Sequence, residues 1–136
     1  MSHSLLVIVT KNQDTSRKAV KKAIELAKEM PSSKLRLLYM HTLSTDSQIE
    51  AIHRSFQKEL EKDSEAAFLP CLQLIENEQL SYEKYIGIGN LLHEVRIQVH
   101  LGRCGLLIMT REQLSDLQEE ATNVDDKLTC PVLYVE

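Results

Sequence analysis

Tryptophan is absent from the sequence, and there are only two phenylalanines and four tyrosines, which leaves few flat side chains for nucleic-acid bases to stack on. Lysine and arginine number 16 against 20 acidic residues, a net charge of −4, so the basic footprint of a nucleic-acid binder is missing as well. No apolar stretch approaches the ~20 residues that cross a bilayer, and the opening Met-Ser-His-Ser has neither the basic nor the apolar region of a signal peptide. A soluble cytoplasmic protein is expected, with no nucleic acid and no membrane among its partners. The three cysteines, Cys71, Cys104 and Cys130, are widely spaced with no C-x-x-C pair, the pattern of reduced thiols rather than of a redox site. The five histidines are scattered; His93 and His100 could share a helix face, but no His-Glu-x-x-His or Cys/His cluster accompanies them. They read as helix surface, and no metal site is expected. Glycine is also scarce, and none follows Gly105.

What is present is a succession of short apolar runs separated by amphipathic stretches. A chain of 136 residues suits one domain, residues 1–136, with a single buried core. Leu5 to Val9, Leu106 to Met109 and Val132 to Val135 are too short and too uniformly apolar for helices, and read as strands buried on both faces in a parallel sheet; Leu35 to Met40 reads as the second strand. Tyr82 to Ile88 supplies another, ending in Gly87-Ile88-Gly89-Asn90. Between the first two strands, Asp14, Thr15 or Ser16 is placed to cap a helix in which Val20, Ala23, Ile24 and Ala27 recur at helical spacing. Arg17, Lys18, Lys21 and Lys22 give that helix a basic start, read as a solvated face. Asp46 to Gln79 is the most helical stretch, with Ile49, Ile52, Phe56 and Leu60 as one stripe. Pro70 lies inside it and would clash with the carbonyl of Ala66, so a kink or break is expected there. The run Leu69, Cys71, Leu72, Leu74 and Ile75 is broader than one stripe, as for burial on two sides. Asn90 is an N-cap for a helix buried through Leu92, Val95 and Val99, and Gly102 is its C-terminal stop. Leu114, Leu117, Ala121, Val124 and Leu128 form a last helical stripe.

Two of these runs carry a family resemblance. Gly-Leu-Leu-Ile-Met-Thr, residues 105–110, resembles the Asp-Leu-Ile-Val-Met-Gly strand of the universal stress proteins, and Cys130-Pro131-Val132-Leu133-Tyr134-Val135 resembles their closing Cys-Pro-Val-Leu-Val-Val. Gly89-Asn90 stands where the family has Gly followed by Asp-Pro. The resemblance implies a Rossmann-like, adenine nucleotide alpha hydrolase-like α/β fold: an open five-stranded parallel sheet of order 3-2-1-4-5 with helices on both faces. Ligands in such sheets sit beyond the carboxyl ends of the strands.

ATP-binding members of the family hold the phosphates on a loop of pattern G-x2-G-x9-G-[ST], because backbone amides can converge on an anion only where no Cβ intervenes. Counted forward from the strand, the glycine positions fall here on Thr110, Gln113 and Asn123, and the hydroxyl on Val124. Counted back from Pro131, the last pair falls on Gln118 and Glu119, a register favoured because Val124 then belongs to the core. In both registers side chains stand where bare backbone is required. Asp116, Glu119, Glu120, Asp125 and Asp126 follow, a set that would repel a triphosphate and otherwise reads as a solvated helix face. At the end of the first strand the family has Val-Asp-Gly-Ser, and this chain has Thr10 in place of the Asp. The Ser-Gly-Gly-x-Asp-Ser loop of the related ATP pyrophosphatases is likewise not met, since Lys11 and Asn12 replace its glycines.

The resemblance therefore points to the non-ATP-binding branch of the family, a regulatory or scaffolding module rather than an enzyme, with no catalytic residue and no cofactor. The alternative is a binder of adenosine or another adenine nucleotide lacking a full triphosphate cradle, with Thr10, Met40 and Thr110 lining the cleft. A strand at the open edge of a sheet invites pairing with another chain, and the family commonly dimerises there. A homodimer built on Val132, Leu133, Tyr134 and Val135 is expected, beside a possible further protein partner.

Overall fold

A computed structural model describes residues 4–41, 54–117, 119, 124 and 127–136. Its centre is β1, Ser4–Val9, buried at every position. It pairs in parallel with β2, Lys34–His41, on one edge and with β4, Leu106–Thr110, on the other. β3, Tyr82–Ile88, lies outside β2, and β5, Val132–Val135, lies outside β4, which gives the sheet order β3-β2-β1-β4-β5. Successive side chains of a strand point to opposite faces, so this central strand feeds two cores. Leu5, Val7 and Val9 pack on one side with α1, Gln13–Glu29, and α2, Arg54–Asn77; Leu6 and Ile8 pack on the other with Leu91 and Val95 of α3, Leu91–His100, and Leu114 of α4, Arg111–Asp116. The expected α/β architecture and strand order are what the chain adopts.

Local chemistry accounts for most element boundaries. The cap of α1 is Asn12, not the expected Asp14, Thr15 or Ser16: its side chain accepts from the amides of Asp14 and Thr15. Asn12 stands one residue before the helix, where an Asx side chain reaches those amides, while Thr15 and Ser16 already lie within the buried face. Asn90 caps α3 through the amide of His93. At the other end of α3, Gly102 has φ +70, its amide bonds to the carbonyl of Val99, and that of Arg103 bonds to Gln98. This pair of bonds is a Schellman turn, and its left-handed residue is a glycine because a Cβ is disfavoured there.

Two features of the helices differ from expectation: the break at Pro70 is absent, and the run after it is not buried on two sides. α2 runs from Arg54 to Asn77 through Pro70 without a break. Ala66 is exposed, so water can satisfy the carbonyl that Pro70 leaves without an amide. Nor is the following run buried on two sides: Cys71 and Ile75 are fully buried while Leu69 is 57% exposed. Ile49, Ile52 and the side chain of Phe56 lie outside the described residues. After β4 a helix spans Arg111–Asp116, Val124 and Lys127 are again helical, and Leu114, Leu117 and Val124 of the expected stripe are all buried. Ala121 lies outside the described residues. No helix among the described residues is long and apolar enough to cross a membrane.

Candidate functional site

At the carboxyl ends of β1 and β2 the chain encloses a cavity of about 350 Å³, lined by Thr10, Asn12, Tyr39, Met40, His41 and Asp116 among others. Thr10 is placed by a reciprocal pair of bonds, its amide donating to Ser16 Oγ at 3.0 Å and its carbonyl accepting from the same hydroxyl at 3.2 Å. That leaves Thr10 Oγ1 buried without a protein partner, and Tyr39 Oη is in the same condition. Both residues line the cavity, and a buried unpaired hydroxyl is a group that a polar guest or water would satisfy. Burial, and after it the charge of Asp63, pushes the Tyr39 phenol up to about 12, so it stays protonated and able to donate. Met40 is 3% exposed and shared between the cavity wall and the core.

The rim carries charge of both signs. Lys11 pairs with Asp63 at 3.4 Å, in a position exposed enough that the pair adds little to stability. His41 is held below the ordinary imidazole value by burial and then by Lys11, with Asp63 opposing; the neutral ring is therefore favoured at the cavity mouth. Asp116 is exposed on the opposite wall.

Thr110 does not join this cavity. It lines a separate cleft of about 220 Å³ with Lys18, Arg111 and Val135 and serves as N-cap of α4. Its hydroxyl accepts from the amide of Gln113 at 3.0 Å, and the Gln113 side chain accepts from the amide of Thr110 at 2.9 Å, a complete capping box. Gln113 is fully buried and donates through Nε2 to the carbonyl of Ile8 at 2.7 Å and to Ser16 Oγ at 3.4 Å. It thus fastens the start of α4 to the end of β1 and to the first turn of α1. In the sequence Gln113 stands out only as a position where the phosphate-loop pattern has a glycine. The Thr-x-x-Gln spacing was the available signal, and the contact to Ile8 had none.

The acids after β4 are not uniformly a solvated face. Asp116 is exposed, but Glu119 is half-buried and accepts from the amide of Leu91 at 3.1 Å, because the first turn of α3 presents an unpaired donor beside it. Gln118, Glu120, Asn123, Asp125 and Asp126 lie outside the described residues.

The second feature is the sheet edge. Val132, Leu133, Tyr134 and Val135 are each half-buried and pair only with β4 among the described strands. Beside them Lys18, Lys21 and Lys22 of α1 border a shallow cleft of about 580 Å³, and the guanidinium of Arg111 sits 4.2 Å from the Tyr134 ring centre.

No protein-family model matches the sequence, and no curated protein matches it. Solved structures do. A universal stress protein in complex with cAMP matches 98% of this chain and 97% of its own, with TM-score 0.67 and 18% identity. The universal stress protein UspA from Lactobacillus plantarum matches over 98% and 97%, with TM-score 0.68 and 16% identity. A universal stress protein family protein from Arabidopsis thaliana with AMP bound matches over 98% and 90%, with TM-score 0.61 and 14% identity. At such identities the likeness is one of fold, and the fold is that of the universal stress proteins.

Proposed function

We propose that this protein is a universal-stress-protein-like regulatory module that acts in the cytoplasm through association with other protein chains and does not hold a nucleoside triphosphate. The observation that carries this reading is the occupation of both helix starts at the sheet mouth by the chain's own side chains. Asn12 takes the amides of Asp14 and Thr15 at α1, and the Thr110–Gln113 capping box takes two more at α4. These are the groups that a phosphate would otherwise meet. His41 and Asp116 stand at the mouth, but the described residues there include no glycine-rich phosphate loop beside them, so no hydrolytic role is assigned. The open edge of β5 supports a homodimer as the form that associates.

A second reading is favoured by one specific observation. The unpartnered hydroxyls of Thr10 and Tyr39, with Met40 between the cavity and the core, suit the uncharged part of a nucleoside or a monophosphate, and two structures of the same fold carry cAMP and AMP. Thr110 then serves as scaffold rather than as lining.

Thermal shift against ATP, ADP, AMP and adenosine with magnesium separates the two. A ligand at ~100 times its dissociation constant stabilises by about 2.7 kcal/mol, a visible rise in melting temperature. No shift with any ligand is the expected result for the association module. A rise with adenosine or AMP but not ATP selects the second reading, and a rise with ATP would falsify the closed phosphate site.

A further inference from the structure

The cysteines that the sequence spaces widely are not all apart in space. Cys104 ends the turn before β4, Cys130 ends the connection before β5, and these strands are parallel neighbours. Their flanking residues therefore meet at the amino end of the sheet, opposite the cavity, with the sulfurs 3.3 Å apart. Leu107 pairs with Val132, and the amide of Leu107 bonds to the carbonyl of Pro131. Carried back along the chain, that register sets Cys104 across from Thr129, one residue from Cys130. A residue one step along from the direct partner, on strands ~4.8 Å apart with a rise of ~3.3 Å per residue, still lies inside the Cα separation of roughly 4.4–6.8 Å that a disulfide spans.

We propose that Cys104 and Cys130 form a reversible thiol–disulfide site, oxidised by a hydroperoxide. Cys130 is the attacking residue: it is half-buried, between exposed Thr129 and Pro131, whereas Cys104 is buried. The two sulfurs share a hydrogen bond in which either can donate; the contact holds the Cys130 pKa below its ordinary value and that of Cys104 above it, and with Cys130 also the more accessible, it is the thiolate that reacts. It attacks the terminal peroxide oxygen, an S–O bond forms and the O–O bond breaks, and the alkoxide or hydroxide that leaves takes up a proton. The resulting Cys130 sulfenic acid is then attacked by Cys104 sulfur. The S–S bond forms, the S–O bond breaks, and the departing hydroxide leaves as water with the Cys104 proton. Two electrons pass from the thiol pair to the peroxide, and a dithiol reductant returns them. Cys71, on the opposite face of the sheet, is fully buried and pushed up to about 11 by burial, and serves as an internal control.

The test is hydrogen peroxide treatment of the purified protein, maleimide blocking under denaturing conditions, and mass spectrometry of a non-reduced digest. The expected product is a Cys104 peptide joined to a Cys130 peptide while Cys71 carries maleimide, reversed by dithiothreitol. Cys104→Ala should stop at a Cys130 sulfenic acid that dimedone traps, and Cys71→Ala should cross-link as wild type does. Absence of the joined peptide in both wild type and Cys71→Ala, or loss of the Cys71 thiol as fast as that of Cys130, overturns the proposal.

Discussion

Gln113 shows how one side chain can hold three elements. It is buried and bonded to Thr110, Ile8 and Ser16, so Gln113→Ala leaves the amide of Thr110 and the carbonyl of Ile8 without this partner in a dry setting. An unsatisfied buried polar group costs about 1–3 kcal/mol, and urea denaturation should show a loss of at least that lower figure. His41 is a matter of protons. Its pKa lies below the ordinary value in the folded chain, so the unfolded chain binds more protons just below pH ~6.5, and stability falls as pH drops through that region. Below the lowered folded value the loss from this group ends. Melting curves of wild type and His41→Gln should diverge across that interval and run parallel above it. At this scale the sequence was least informative. Thr10 and Met40 were placed by resemblance and do share a cavity, but Tyr39 and Asp116 join them only because strand ends and helix ends converge in three dimensions.

Elements were far more legible, for a physical reason. A strand buried on both faces must be apolar at nearly every position, and Leu5, Leu37, Leu107 and Ile108 declare this without help from distant residues. Helix ends were harder. Gly102 is a local signal and is legible as one; Asn12 and Thr110 are local too, but Thr110 reads as the opening of a phosphate loop unless Gln113 is recognised as the partner that closes it. At Pro70 the expected break is absent although its ring meets the Ala66 carbonyl, because that carbonyl lies at an exposed residue where water can take the place of the missing amide. The residue still costs the helix. A proline in a helix interior is about 3 kcal/mol less favourable than alanine, so Pro70→Ala should raise stability by on the order of 1–3 kcal/mol in the same urea experiment. An unchanged or lowered midpoint would mean that Pro70 fills space no alanine can.

For the whole molecule, the sheet order decides which surfaces are free. Among the described strands β5 has a partner on one side only, and its half-buried Leu133 lies beside Lys18, Lys21 and Lys22. Leu133→Lys adds a fourth ammonium to that edge, and like charges across a two-fold interface repel. Light scattering should give twice the chain mass for the wild type and the single chain mass for the variant; a wild type running as a single chain removes the dimer. The order has a consequence for synthesis too. Leu5 pairs with Leu35 on one side and with Leu106 on the other, so a nascent chain can zip the first edge of its central strand early. The second edge waits for residues made much later. At ~5–20 residues per second that interval lasts several seconds, during which an apolar strand edge stands open on the ribosome, the kind of surface that chaperones recognise.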